Sequence, residues 1–197
     1  DFQSPDVPNL VAPNNNNWTD STSIVFAWTE VTKKNKGAAV EYVIQVDSVN
    51  TFSVPLIEDT TAILLDTFNL AEGKYYWRVK AFDLAGNYGS YSGYRTFGID
   101  TTAPLFLSVK SLPDDGSAPY GPYEVSSKVY DLSLKSAWLF TQINGGGWDS
   151  TVMFSDLDSL RDSIPELIPV TDETLSVSYY IKTTDMLDHQ SISSTYS

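Results

Sequence analysis

The chain has no cysteine, one histidine and few basic residues, and each shortage narrows the range of functions. Without cysteine there can be no disulfide and no thiolate metal site. The 12 Lys and Arg residues are outnumbered by 25 Asp and Glu residues, which gives a formal net charge of −13. Nucleic acid and anionic membrane surfaces are therefore not expected as partners, because both attract basic proteins.

Long apolar runs are also missing. No stretch approaches the roughly 18 consecutive apolar residues of a membrane-spanning helix, so we expect no membrane insertion. Repulsion between acidic copies favours a monomer. No signal peptide is visible and the first residue is not Met, so we expect the chain to be a piece of a longer protein.

What the chain does have is β-strand composition, with 13% aromatic residues and 12 Tyr. The clearest strand follows Leu70. In this strand Tyr75, Trp77 and Val79 point to one side, and Arg78 points to the other. A period of two is typical of a strand that is packed on one face only. Such strands form antiparallel sheets, as in β-sandwiches.

The first half contains about seven short runs of this kind, separated by polar and Pro-containing turns. We predict strands at 9–12, 24–29, 40–46, 52–56, 62–65, around 75–81 and at 91–97. Their alternating apolar residues should form a single core made of Ile24, Phe26, Trp28, Tyr42, Ile44, Val46, Leu70, Tyr75, Trp77 and Val79.

The second half repeats the pattern after a short polar segment that ends in Pro104. We predict strands at 106–110, 123–131, 137–143, 149–154, 159–164, 175–183 and 190–195, with a hairpin turn in the glycine-rich stretch 144–147. When Asp185 is aligned with Asp83, the alternation of the two halves coincides. The sequence therefore predicts an all-β chain of two tandem antiparallel sandwiches, residues 1–99 and 105–197, joined by a linker at 100–104.

The first half resembles fibronectin type III domains over roughly residues 8–99. The residues that carry the resemblance are a Trp on the second strand, a Tyr on the third, a Leu-x-x-Gly loop and a Tyr-x-x-x-x-x-Ala strand, namely Trp28, Tyr42, Leu70, Gly73, Tyr75 and Ala81, with Trp77 on the same strand face. The spacing from Leu70 to Tyr75 is one residue shorter than in the animal form. It leaves open whether Tyr75 or Tyr76 makes the corner hydrogen bond of such sandwiches.

The second half is similar to another immunoglobulin-like module of bacteria. The similar segments are 120–125, 129–131, 145–148, 164–165 and 177–181. The resemblance implies two tandem immunoglobulin-like, fibronectin type III-like sandwiches from a multidomain protein that is extracellular or on the cell surface. It also implies a non-catalytic spacer or interaction module whose partners are other domains of the same polypeptide. The alternatives are an adhesion module that binds carbohydrate or protein, and an accessory region of a secreted hydrolase whose catalytic domain lies elsewhere.

Candidate catalytic residues are few, and we expect no enzyme activity and no cofactor. His189 is the one residue that could serve a Ser-His-Asp triad, but it lies beside Asp188 in a polar turn. Asp156 and Asp158 could form an acid–base pair, but paired acids need a cleft that separates their pKa values. A small sandwich offers no obvious cleft, so we expect both carboxylates to lie in a solvated loop.

Calcium is the one ion that the acidic residues would suit, because it prefers several oxygen ligands. Asp83 with the turn at Asn87, or Asp100 near Asp131 or Asp185, could supply those ligands. The alternative, which we favour, is that Asp83 and Asp185 hydrogen-bond their own turns.

Three tryptophans could offer a flat stacking surface for sugars. Trp138 alternates with Phe140 in a predicted strand, so we expect it in the core. Trp148 follows the glycine turn and should be half exposed. Trp148 and Trp18 are therefore the candidate residues for contact with a cell-surface glycan or protein.

Overall fold

A computed structural model of the chain describes residues 4–31, 40–110, 123–155, 161–168 and 176–197. All elements assigned in these residues are β-strands, which confirms the predicted all-β fold. None of these residues belongs to a helix long and apolar enough to cross a membrane. The contacts between Cα atoms divide the chain into two compact units, Asp1–Thr101 and Thr102–Ser197, here called the N-terminal and C-terminal units.

The N-terminal unit has two sheets. Its strands are β1 (Leu10–Ala12), β2 (Asn17–Thr19), β3 (Ser23–Trp28), β4 (Val40–Asp47), β5 (Ile57–Thr61), β6 (Leu65–Asn69), β7 (Gly73–Asp83) and β8 (Arg95–Ile99). One sheet has the order β1-β3-β6 and the other has the order β2-β8-β7-β4-β5. All pairings are antiparallel except that of β2 with β8, which is parallel.

The C-terminal unit repeats this topology. Its strands are β9 (Leu105–Val109), β10 (Tyr123–Tyr130), β11 (Leu134–Ile143), β12 (Trp148–Ser155), β13 (Arg161–Ile168), β14 (Val177–Asp185) and β15 (Gln190–Ile192). The sheets have the orders β13-β10-β9 and β12-β11-β14-β15. Each strand corresponds to one of the N-terminal unit in the same position, and only β2 is without a counterpart among the described residues.

Both units also share a backbone detail that fixes the correspondence. In the N-terminal unit the Ser92 N–H donates to the Val79 carbonyl, and the Val79 N–H donates to Ser92 Oγ at 3.1 Å. In the C-terminal unit Ser193 makes the same two bonds with Ile181, the second at 2.9 Å. Alignment of Asp185 with Asp83 places Ile181 on Val79, so the register of the two halves is the predicted one.

The core of the N-terminal unit is centred on Phe26. Its ring lies 5.2 Å from that of Trp77 and 5.6 Å from that of Phe97, in edge-on geometry. Edge-on contacts suit aromatic rings because the positive edge of one meets the negative face of the other. All ten residues predicted for this core pack in it, with Leu70 partly buried at its margin.

The core of the C-terminal unit is smaller and less aromatic. Its buried members come from both sheets and are Val125, Val129, Leu134, Ala137, Leu139, Tyr179 and Ile181. Full burial of one aliphatic or aromatic side chain contributes about 1.5–3 kcal/mol. Each unit therefore has a hydrophobic core of its own.

Tyr75 makes the corner hydrogen bond that the sequence left open between two tyrosines. Its hydroxyl donates to the carbonyl of Ala71 at 3.0 Å, and its ring stacks on Phe97. Burial raises the pKa of the Tyr75 hydroxyl above its ordinary value. Tyr76, one residue later, points to the opposite face and packs against Tyr94.

Two predicted strands of the first half are wrong. Residues 52–56 and 62–64 form bends and irregular structure, Leu65 is the first residue of β6, and β5 lies between the two segments. Phe52 has a φ of 52°, in the left-handed region that ends a strand, although its side chain is buried. The strand β5 escaped prediction because it is an edge strand of mostly exposed, polar residues.

Strand β2 was also missed, because an Asn-rich run reads as a turn. Its central residue, Trp18, pairs with Gly98 of β8, and the Trp18 ring packs against that glycine. A Cβ atom at Gly98 would overlap the Trp18 ring. The missing side chain of Gly98 therefore allows the close approach of β2.

We expect Gly98→Ala to destabilise the N-terminal unit by about 1–3 kcal/mol, because Trp18 must move to make room. The free energy of unfolding in urea measures this. The control is Gly93→Ala, since a Cβ atom there meets nothing within 4 Å; it should change stability by less than about 0.5 kcal/mol. Equal effects of the two substitutions would contradict the packing described.

A second prediction concerns pH. Desolvation and the neighbouring carboxyl of Asp59 raise the pKa of Asp66 above its ordinary value, although the Thr67 N–H opposes the shift. The folded state therefore binds a proton at Asp66 more tightly than the unfolded state does. As pH rises through the raised pKa, the chain loses the stability that protonation of Asp66 gives.

Asp66→Asn should accordingly raise the melting temperature of the N-terminal unit at pH 7, and the gain should fade as pH falls below the ordinary range of Asp. Calorimetry at several pH values measures this. Asp20→Asn, at an exposed carboxyl of the same unit, is the control. A gain that persists unchanged at pH 3 would refute the assignment.

Candidate functional site on the outer sheet faces

His189 is part of a structural turn. Its backbone N–H donates to Asp185 Oδ1, as does that of Leu187, both at 2.8 Å. Its ring Nδ1 lies 2.8 Å from Asp185 Oδ2. Asp185 is fully buried, so these bonds hold the loop that follows β14 against the sheet.

The N-terminal unit has the same arrangement with a different side chain. Asp83 accepts from the backbone and the side-chain amide of Asn87, both at 2.9 Å. A buried carboxylate thus closes the turn in each unit, with Asn87 and His189 in the same role. Both aspartates bond their own turns, as the sequence led us to expect.

Asp131 and Asp185 are both buried in the C-terminal unit, and carboxylate oxygens of the two lie within 4.8 Å. Asp131 Oδ1 accepts from the Ser133 N–H at 2.8 Å. The calcium site that would include Asp100 stays the less favoured of the two alternatives that the sequence offered. Asp156 and Asp158 lie outside the described residues.

The solvent-facing side of the larger N-terminal sheet has a stack of alternating cations and aromatic rings. The Arg78 guanidinium lies over Phe52 at 4.2 Å and over Tyr91 at 4.0 Å. The Lys80 ammonium lies over Tyr91 at 4.6 Å and over Tyr88 at 4.7 Å. Both cations come from β7, and the rings come from the segments after β4 and before β8.

This stack closes the outer face of the sheet. Arg78 Nε donates to Gln45 Oε1 at 2.8 Å, and Gln45 is buried although it belongs to the outward side of β4. Val43, next on the same side, is also buried. Each cation–aromatic contact is worth about 0.5–1 kcal/mol at a surface. The aromatic rings here already have partners within the unit.

The corresponding face of the C-terminal unit is different. Phe140 and Tyr180 are cross-strand partners on β11 and β14, with rings 4.7 Å apart and nearly parallel. The Trp148 ring meets Tyr180 edge-on at 4.9 Å. Because β11 lies between β12 and β14, the Trp148 side chain extends over β11 to reach Tyr180.

Trp138 continues this surface, and its predicted place in the core is wrong. It shares the outward side of β11 with Phe140, and 38% of its surface is exposed. The inward side of β11 carries Ala137 and Leu139. Ala137 and Trp138 are adjacent, so the ordinary alternation of a strand sends them to opposite faces; the irregularity in the pairing with β12 lies in β12. Strand β11 is therefore apolar on both sides.

Together with the apolar residues beside them, four aromatic residues form what we call the aromatic face: Trp138, Phe140, Trp148 and Tyr180. Register places Val152 opposite Trp138 on one side, and Lys182 opposite Trp138 on the other. Ile192 follows beside Lys182. Trp148, Val152 and Ile192 are 44%, 42% and 62% exposed. Contiguous exposed apolar surface of this kind marks interaction sites more often than scattered residues do.

Trp18, the other binding candidate, lies elsewhere. It is half-buried on β2 of the N-terminal unit, with its ring on Gly98. One face of the indole is thus covered by the backbone of Gly98. The contact of Trp18 with Gly98 holds β2 against β8.

Sequence reasoning found Trp148 and missed its neighbours. Trp138 and Phe140 share one side of β11, but only strand pairing brings Tyr180 of β14 and Trp148 of β12 beside them. A signal was present in β11, where the run Ala137 to Phe140 is apolar at every residue. A strand of a two-sheet sandwich needs apolar residues on one side only, so a second apolar side indicates an additional contact surface.

Solved structures with a similar arrangement of strands include fibronectin type III domains. The chicken CNTN1 FN1-FN3 domains are 14% identical and match over 97% of this chain and 66% of their own, with a TM-score of 0.38. The fibronectin(III)-like modules of Clostridium thermocellum CbhA are 14% identical and match over 96% of this chain and 91% of theirs, with a TM-score of 0.40.

The α-L-rhamnosidase of Dictyoglumus thermophilum is also similar, with 11% identity, 97% of this chain and 28% of that chain covered, and a TM-score of 0.41. The chain thus spans less than two thirds of two of these three structures. At such identities and TM-scores the likeness supports no conclusion about activity. No protein-family model and no curated protein sequence matches the chain.

Proposed function

We propose that the chain is a non-catalytic spacer or interaction module of a larger bacterial protein that is secreted or attached to the cell surface. The observation that carries this proposal is the repeated unit. Two units of one topology follow each other in the chain, and each has its own core. Units of this kind in series set a distance between the domains on either side of them.

The side chains that could have taken part in catalysis have structural hydrogen bonds instead, which supports a structural role. His189 and Asp185 are bonded to each other and to their turn, and Asp83 is bonded to Asn87. Each of these groups therefore already holds a loop in place.

In the N-terminal unit, hydrogen bonds connect the segment before β3 to the last strand, β8. This arrangement suits a unit that bears tension between its two ends. The segment before β3 runs beside β8, and the pairing of β2 with β8 is parallel. Arg95 Nη1 donates to the carbonyl of Val11 at 2.8 Å, and the Asn16 N–H donates to that of Thr96 at 2.7 Å. Tension on the two ends of a parallel pair loads its hydrogen bonds together, so they must break together.

Single-molecule pulling on the whole chain tests this proposal. We expect two separate unfolding steps, each releasing roughly 30 nm of chain, because about 100 residues extend by at most 3.3–3.6 Å each. Arg95→Ala should lower the force of one step and leave the other unchanged. Lys135→Ala, which removes an exposed ion pair with Asp188 in the C-terminal unit, is the matched control.

One concerted step, or no change of force in Arg95→Ala, would contradict the spacer role. Substrate turnover by the chain that is lost in His189→Ala would contradict its non-catalytic character. The step lengths also test the predicted limits at residues 99 and 105.

Adhesion is the second candidate function, and the aromatic face is the observation that favours it.

A further inference from the structure

We propose that the aromatic face of the C-terminal unit binds a neutral polysaccharide. This goes beyond the spacer role, since a spacer needs no recognition surface. The site consists of Trp148, Tyr180, Phe140 and Trp138 on the outward side of the sheet β12-β11-β14-β15.

The shape of the site favours an extended ligand. Trp138 and the position opposite Trp148 are four residues apart on β11, which is about 13 Å at 3.3 Å per residue. The stacked pair of Phe140 and Tyr180 lies between them. Apolar surface thus runs across three strands of a sheet face. A polymer can lie along such a surface over several of its units.

The rings of this face differ from those of the N-terminal stack in having no cation over them. Among the described residues, the cations placed over aromatic rings are Arg78 and Lys80, and both belong to the N-terminal unit. Trp148 meets Tyr180 edge-on, and the indole is 44% exposed. Exposed indole surface of this kind can pack against the C–H groups of a sugar ring.

The polar groups around the rings fit hydroxyl-rich ligands. The register places Gln142, Ser150, Ser178, Thr184 and Gln190 on the same side of the sheet. Amides and hydroxyls both donate and accept hydrogen bonds, as sugar hydroxyls do. The combination of aromatic planes with neutral polar groups distinguishes this face from a purely apolar protein interface.

Charge selects a neutral ligand. Lys182 is the one charged side chain at the regularly paired, described positions of this side, and Lys135, at the irregularity of β11, is ion-paired with Asp188. The whole chain has a net charge of −13, which repels a polyanion and also a second copy of the chain. Lys182 lies beside Trp138, where a cationic partner would meet it. A neutral polymer encounters none of these penalties.

Affinity electrophoresis of the whole chain tests the proposal, with hydroxyethylcellulose, xyloglucan or galactomannan in the gel. We expect at least one of these neutral polymers to retard the chain. Trp148→Ala and Trp138→Ala should each weaken the interaction by about tenfold, as loss of a central aromatic contact does. The control is Tyr88→Ala, which removes an exposed aromatic residue of the N-terminal unit and should leave retardation unchanged.

Each other outcome overturns the proposal. Retardation by none of the three polymers excludes the ligand class, and retardation that survives both Trp substitutions excludes the site. Preference for polygalacturonate or for gelatin would indicate an anionic glycan or a protein partner instead. A dimer in ultracentrifugation that Trp148→Ala abolishes would show that the face binds a second copy. Tryptophan fluorescence during titration with xyloglucan oligosaccharides gives a readout that requires no variant.

Discussion

Burial of every second side chain along the central strands is the constraint on which both units depend. In β7 the inward residues Tyr75, Trp77, Val79 and Ala81 pack against Phe26 and its neighbours on β3. In β14 Tyr179 and Ile181 take the same positions. A shift of register by one residue would turn these side chains to solvent. The pairing with β4 and β8, or with β11 and β15, is therefore fixed by the same alternation.

Where this alternation was strong, the sequence alone was sufficient to predict the structure. It predicted the central strands, the core around Trp28, Tyr42 and Trp77, and the exposed position of Trp148. It was insufficient where polar residues form strands, as in β2 and β5, because those edge strands bury little. It was also insufficient for Trp138, since periodicity tells that two residues share a side but not which side meets the core.

The outer face of the larger sheet is covered by different side chains in the two units. In the N-terminal unit Arg78 and Lys80 lie between Phe52, Tyr91 and Tyr88, and the stack covers the sheet. In the C-terminal unit Tyr180 takes the position of Arg78 and Lys182 that of Lys80, while the outward side of β11 carries Trp138 and Phe140. No cation lies over the rings of this face among the described residues. One unit thus pairs its outer aromatic rings with cations, while the rings of the other unit contact one another and leave indole surface exposed. The two units therefore share a fold but differ in the chemistry of this sheet face.

Native-state hydrogen exchange tests the central claim most directly. If alternate burial on the central strands holds each unit together, the slowest amides will be those of β4 and β7 in one unit and of β11 and β14 in the other. Those amides should exchange only on global unfolding of their own unit. Slowest exchange in the short edge strands β1 and β15, with rapid exchange in β7, would contradict the account.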